Sequence, residues 1–345
     1  MTFYSDNTAP ATPEVMAALN AANAGFAAPY GDDTATHGLN AAFSRLFETD
    51  VAVFPVPLGT AANGLLLSCL TRPWGVILAN GAAHVLEDES TAPELFTDGA
   101  RLVGLPGDRA KLDAATLRQR LVDWPWDFIH TAKPQALALT QSTEQGTVYT
   151  PDEVAALCDA AKAHGLKTMM DGARFANAVA HLGCAPADVT WRAGIDAMVF
   201  GVTKNGGMAA EAAVLFDRSL AEEFALRQKR AGQLISKMRY LSVQIAASIA
   251  DDMWLKRAAH ANAMATRLAA GLQAVPSVKL CHQPQANAVF VRMAPALADA
   301  LSAAGWGFNP WRSLGQDSYR LVTAWNTPAE TVDGFLAAVR EQAAA

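Results

Sequence analysis

KTMMDGARFANAV (residues 167–179) and IDAMVFGVTKNGG (195–207) share one plan: a short apolar run that ends in a polar group. The first run ends at Asp171, followed by Gly172, Ala173 and Arg174; the second ends at Lys204, followed by Asn205, Gly206 and Gly207. Apolar runs of this length, bounded by turn residues, read as buried strands. In an open α/β sheet, ligands bind outside the carboxyl ends of the strands. Asp171 and Lys204 are therefore expected to point into one crevice. A carboxylate and an amine delivered by adjacent strand ends suit pyridoxal phosphate (PLP): the lysine forms a Schiff base, and the aspartate pairs with the pyridinium nitrogen.

Working outward, the bulk of the chain fits an enzyme of two units. It has 345 residues, 51% apolar and 17% charged, with a formal charge of −6. That composition gives a large core and no sign of disorder. The scattered basic residues argue against nucleic acid and against an anionic membrane surface as partners. No apolar run is long enough to span a membrane. The N-terminus lacks the basic cap and apolar stretch of a signal peptide, and cytoplasmic residence is expected. Cys69, Cys158, Cys184 and Cys281 stand far apart, which disfavours a disulfide framework or a zinc site; no metal is expected. The sequence lacks the zinc-protease, P-loop, G-x-S-x-G and G-x-G-x-x-G spacings.

In chain order, Thr12 caps an expected short helix, and PYGDDTATHG (29–38) reads as a polar loop carrying Tyr30, Asp32, Asp33 and His37. Val51–Val56 reads as a strand, Gly59-Thr60 as a turn and Ala61–Leu70 as a helix. The exposed amides and dipole at such a helix start favour a phosphate. Val76–Ala79 reads as a strand whose following loop carries His84. Ala136–Leu139 reads as another strand. His130 precedes it, so strand direction alone puts His130 away from the site. Thr150-Pro-Asp-Glu153 is a helix start with a capping box. A strand is expected after Lys204, then a long helical region over roughly 218–275 that carries Lys229 and Arg230.

Strands and helices alternating from 51 to 216 imply one α/β sheet with helices on both faces. The pattern restarts near 277 with strands at 278–280, 288–293 and 319–324 and two helices. We therefore expect a large cofactor-binding unit over 1–250, with the N-terminal segment contributing to the site, and a small C-terminal α+β unit over 251–345. Arg320 lies between apolar neighbours in the last strand and needs a carboxylate partner, structural or substrate.

YSDNTAP (4–10), YGDD (30–33), LGTAAN (58–63), the AAH ending at His84, FIH (128–130), MDGARFANA (170–178), VTKNG (202–206) and YRLVTAW (319–325) together resemble the low-specificity L-threonine aldolases. These are PLP enzymes of fold type I, the aspartate aminotransferase superfamily. The resemblance covers nearly the whole chain and rests on the order and spacing of the motifs. It implies a mainly parallel mixed sheet flanked by helices, and cleavage of L-threonine, L-allo-threonine and related β-hydroxy-α-amino acids to glycine and an aldehyde. Lys204 resembles the Schiff-base lysine, Asp171 the partner of the ring nitrogen, and Gly59 and Thr60 the phosphate turn. His84 resembles the ring-stacking histidine and a base for the β-hydroxyl; Arg174 resembles a contact to the ring hydroxyl and substrate carboxylate. Ser5 and Arg320 resemble carboxylate contacts, and Tyr30 is counted with them. The resemblance also places His130 near the substrate side chain, against the spacing argument. It implies a homodimer or homotetramer with sites at the subunit interface, where Lys229 or Arg230 could reach a neighbour's phosphate. Three positions depart from the family pattern: Leu58 stands where a hydroxyl residue is common, Thr203 replaces Ser, and Glu144 lies where many relatives carry histidine. The other activities compatible with these residues are aldol cleavage of phenylserine or α-methylserine, β-elimination and transamination. A non-catalytic binding role is the reading from outside enzymes.

Overall fold

The computed structural model describes residues 2–344. Seven strands build the main sheet: β1 (Ala52–Val56), β2 (Gly75–Asn80), β3 (Arg101–Leu105), β4 (Lys133–Thr140), β5 (Lys167–Gly172), β6 (Ala197–Gly201) and β7 (Glu211–Leu215). Their spatial order is β1-β7-β6-β5-β4-β2-β3. β7 runs antiparallel to both its neighbours, and the remaining pairs are parallel. The helices packed around this sheet are α1 (Pro13–Ala22), α2 (Thr34–Phe47), α3 (Gly59–Leu70), α4 (His84–Glu87), α5 (Ala92–Phe96), α6 (Ala114–Val122), α7 (Pro151–Lys162), α8 (Phe175–Leu182), α9 (Ala221–Arg230) and α10 (Arg239–Ile249).

The central strands are apolar throughout because both faces are covered. On β5, Met170 joins the core cluster that holds Phe43, Phe175, Phe200 and Trp254, while Met169 joins the opposite cluster around Leu65, Leu66 and Phe224. Two glycines let β5 and β6 end close together. A Cβ on Gly172 would run into the carbonyl oxygen of Val199, and one on Gly201 into the carbonyl of Ala173. The glycines in D-G-A-R and F-G-V thus bring the two polar strand ends side by side.

A second, antiparallel sheet has the order β10-β11-β9-β8, made of β8 (Lys279–Leu280), β9 (Ala288–Arg292), β10 (Asn309–Pro310) and β11 (Ser318–Val322). It packs with α11 (Met253–Gln273), α12 (Pro295–Ala303) and α13 (Ala329–Ala344) around Leu268, Val291, Leu321 and Phe335. The chain's start is stitched into this layer. Phe3 N–H donates to Gly307 O at 2.6 Å, its carbonyl accepts from Val322 N–H at 2.8 Å, and its ring sits in the same core.

The elements differ from the sequence reading in several places, among them α4 and α5, which stand where only a loop carrying His84 was expected. The polar loop after Pro29 is shorter than expected, because Asp33 caps α2 by accepting the Thr36 N–H at 2.9 Å, which places His37 on the helix. The expected helical region over 218–275 is broken twice. Gly232 has φ +72°, and Asp251 and Asp252 have φ 51° and 56°, so α9, α10 and α11 are separate. β10 is two residues long and gave no pattern to read.

Candidate active site

A cavity of about 520 Å³ opens at the carboxyl ends of β4, β5 and β6, and its lining includes Ser5, Gly59, Thr60, His84, Asp171, Arg174, Lys204 and Arg320. Register explains part of the convergence: Thr140, at the end of β4, pairs with Asp171, and both reach the cavity. Lys204 sits on the 3-10 turn Thr203–Asn205 just beyond β6. That turn is pinned on several sides. Val202 N–H donates to Glu211 Oε2 at 2.6 Å, Asn205 Nδ2 donates to Trp254 O at 2.8 Å, and Gly206 turns the chain at φ +99°.

Asp171 is buried, and both its oxygens are held. Oδ1 accepts the Ala173 N–H at 2.9 Å, and Oδ2 accepts Asn63 Nδ2 at 2.9 Å. The same Asn63 amide donates to Glu89 Oε1 at 2.8 Å, which in turn meets His84 Nδ1 at 2.8 Å. A single chain of contacts therefore runs from Asp171 through Asn63 and Glu89 to the imidazole. The Glu89 hydrogen bond raises the pKa of His84; burial opposes it, and the charge of Asp171 adds to the rise.

Arg174 is committed before any ligand arrives. Its Nε and Nη2 donate to the two oxygens of Asp6 at 2.8 and 2.9 Å. Burial alone would raise the Asp6 carboxyl, but Arg174, the Lys204 charge and the Asn287 amide hold it below the usual carboxylate range. Arg320 is the contrasting case. It lies 4.3 Å over the Trp311 ring, its Nε is buried without a partner, and no carboxylate pairs with it among the described residues. Burial, with the like charge of Arg174, lowers its pKa to about 10, so it stays a cation at neutral pH.

At the phosphate end, α3 begins without a side-chain cap, because Leu58 occupies the N-cap position. A Cβ on Gly59 would meet no protein atom within 4 Å, so open space lies in front of the first amides. Asn63 Oδ1 and Glu89 Oε2 are buried without partners. Unsatisfied polar atoms, a free helix start, a buried carboxylate and an amine in one cavity fit PLP.

Two expected site residues lie elsewhere in this chain. His130 is exposed beside Phe128 (ring centroids 4.9 Å apart), before the first residue of β4, whereas the cavity lies beyond its last. The spacing argument described this placement, and the family motif did not. Tyr30, 51% exposed, lies under Lys229 Nζ (4.6 Å to its ring) outside the cavity, because the short loop before Asp33 turns it to the surface. Besides Glu144, noted above as a departure from the family pattern, Asp6, Asn63, Glu89 and Trp311 contribute to the site without having been singled out for it. Asn63 and Asp6 fall inside the quoted LGTAAN and YSDNTAP motifs; the others carried no local signal.

This sheet order, with an amine and a carboxylate on adjacent strand ends below a free helix start, defines a PLP-dependent enzyme of fold type I. The beta-eliminating lyase family model matches residues 2–296. The chain belongs to that family, within its low-specificity L-threonine aldolase group. It is 42% identical over 338 residues to the low specificity L-threonine aldolase of a Pseudomonas species, covering 98% of this chain and 96% of the relative. The enzyme of the same description from Pseudomonas aeruginosa is 43% identical over 330 residues, covering 96% and 94%. Among solved structures, the Leishmania major threonine aldolase superposes with a TM-score of 0.92 at 26% identity, covering 99% of both chains. Serine palmitoyltransferase of Sphingomonas wittichii, at 18% identity and a TM-score of 0.72 over 99% of this chain and 86% of that one, shares the fold.

Proposed function

We propose that this protein cleaves L-threonine, L-allo-threonine and related β-hydroxy-α-amino acids to glycine and an aldehyde, with PLP bound as a Schiff base to Lys204. The observation that carries this reading is one cavity holding Lys204, Asp171, the open start of α3 and the unpaired Arg320. When bound, PLP supplies an electron sink for the bond broken at Cα.

The chain's own residues do the rest. The amides at Gly59 and Thr60 receive the phosphate, where the helix dipole favours negative charge. Asp171, oriented by Asn63 and Ala173, holds the proton on the ring nitrogen through its charge. Arg320, over the Trp311 ring, receives the substrate carboxylate. Arg174 already serves Asp6, so it braces the N-terminal segment, and Ser5, on the same segment, faces the cavity. Fixing the carboxylate sets which bond to Cα is aligned for cleavage, a positioning effect. His84, with Nδ1 on Glu89, keeps Nε2 for the substrate's β-oxygen.

The same reading includes a large unit over 1–250 and a small one over 251–345, supported by the break at Asp251 and Asp252. It also includes a homodimer or homotetramer. Supporting that are the Tyr30–Lys229 pair and Arg230, exposed outside the chain's own cavity, where a neighbour's phosphate could meet them. Four free cysteines accord with the cytoplasm, and no helix among the described residues is long and apolar enough to cross a membrane. The test is product analysis of purified protein given PLP and L-threonine. Glycine and acetaldehyde are expected; ammonia and a keto acid overturn the aldol reading.

A further inference from the structure

Glu144 lines the cavity, yet the reading above gives it no task. It sits on the loop that leaves β4, and that loop is tightly tied. The Gln141 side chain donates to Tyr149 O at 2.8 Å and accepts from Tyr149 N–H at 3.0 Å. Thr143 N–H donates to Thr147 O at 2.9 Å, and Gly146 N–H donates to Thr143 O at 2.8 Å. The position of Glu144 is thus set by the backbone around it.

Its two oxygens differ. Oε1 accepts the backbone N–H of His84 at 2.8 Å. Oε2 is buried and has no partner. The charged and titratable groups facing it are His84, Asp88 and Glu89 from the α4 side, Asp171 at the end of β5, Arg174 just beyond, Lys204 past β6, Arg320 on β11, and Tyr149 behind the loop. None forms an ion pair with it: Arg174 holds Asp6 and Arg320 lies on Trp311. Burial pushes the Glu144 carboxyl up to about 7, against the His84 N–H and with the help of the Asp171 charge. A carboxyl pushed up by burial, beside an imidazole whose pKa is raised by its bond to Glu89, is a pairing suited to acid–base work.

We propose that Glu144 is an acid–base residue of this site, its Oε2 taking the proton of the substrate's β-hydroxyl as the Cα–Cβ bond breaks. This rests on the aldol reading above. The O–H electrons form the aldehyde carbonyl, and the pair of the broken bond stays on the Cα side, held by the cofactor. A proton from solvent then completes glycine, and Glu144 returns its own to solvent once the aldehyde leaves. His84 stays beside it as the hydrogen-bond donor to the β-oxygen.

Glu144→Gln keeps the volume and an acceptor for the His84 N–H, so it separates proton transfer from packing. We expect cofactor absorbance and glycine affinity to stay within about twofold, while kcat for threonine cleavage falls ~10²–10⁴-fold. The acidic limb of kcat/KM near neutrality should disappear as well. A variant that keeps its rate within about threefold and retains that limb overturns the proposal. A second readout needs neither activity nor a variant: infrared titration of isotope-labelled glutamate in the wild type. A buried protonated carboxyl titrating around neutrality is expected, and glutamates ionised throughout overturn the assignment even if Glu144→Gln fails to fold. Wild-type protein that releases no aldehyde from threonine refutes the aldol reading and this proposal together; active wild type with an equally active Glu144→Gln refutes the proposal alone.

Discussion

Arg320 is a half-buried cation with an aromatic platform and, among the described residues, no paired anion, an arrangement that is costly unless a ligand completes it. Replacing it with Gln removes a charge-assisted contact worth ~1.5–3 kcal/mol. The KM for threonine should rise about tenfold to about 150-fold, with kcat less affected, because the carboxylate is bound alike before and during reaction. An unchanged KM would show that the carboxylate binds elsewhere. Much at this scale was legible. Lys204 and Asp171 announce themselves because each ends an apolar run. Arg174 and Asp6 do not, since their pairing joins residues 168 positions apart and no local pattern encodes it. Asn63 bridges Asp171 and Glu89 for the same long-range reason. His130 is the contrasting case: strand direction places it away from this chain's own cavity, as found, whereas the motif match counts it with the site residues.

At the scale of elements, strand period and caps carried most of the reading. The capping box at the start of α7 is present as expected, with Glu153 N–H donating to Thr150 Oγ1 at 3.2 Å and Thr150 N–H to Glu153 Oε2 at 2.7 Å. The closeness of β5 to β6 could not be read locally, because it depends on which backbone faces each glycine. Gly172→Ala tests that closeness. Its φ is ordinary, so the effect is steric: a clash with the Val199 carbonyl first, with the Met198 and Phe175 side chains crowded as well. Overpacking against backbone should cost ~1–3 kcal/mol, read as a lower midpoint in urea unfolding. A variant as stable as the parent, with full cofactor loading, would show that the strand ends can separate freely.

Across the whole molecule, the N-terminal segment ties the two sheets together. Phe3 lies in the core of the small sheet, while three residues on Asp6 grips Arg174 beyond β5. Removing one partner of a buried pair typically costs ~3–5 kcal/mol, so Asp6→Asn should lose stability on that order at neutral pH. The sign with pH follows from the lowered folded-state value: the contribution of Asp6 is full above its unfolded value of about 4 and disappears as pH falls through the lower folded one. The gap between parent and variant should therefore close in strong acid; a gap that stays constant would mean that Asp6 is not stabilised as a carboxylate. The account as a whole stands on cofactor and amino acid meeting in the cavity between β5, β6 and the small sheet. Visible absorbance of the purified protein, loaded with PLP and titrated with glycine, tests that most directly. A saturable shift of a band that is absent from Lys204→Ala is predicted. A protein that stays colourless with added PLP, or a band that Lys204→Ala retains, contradicts it.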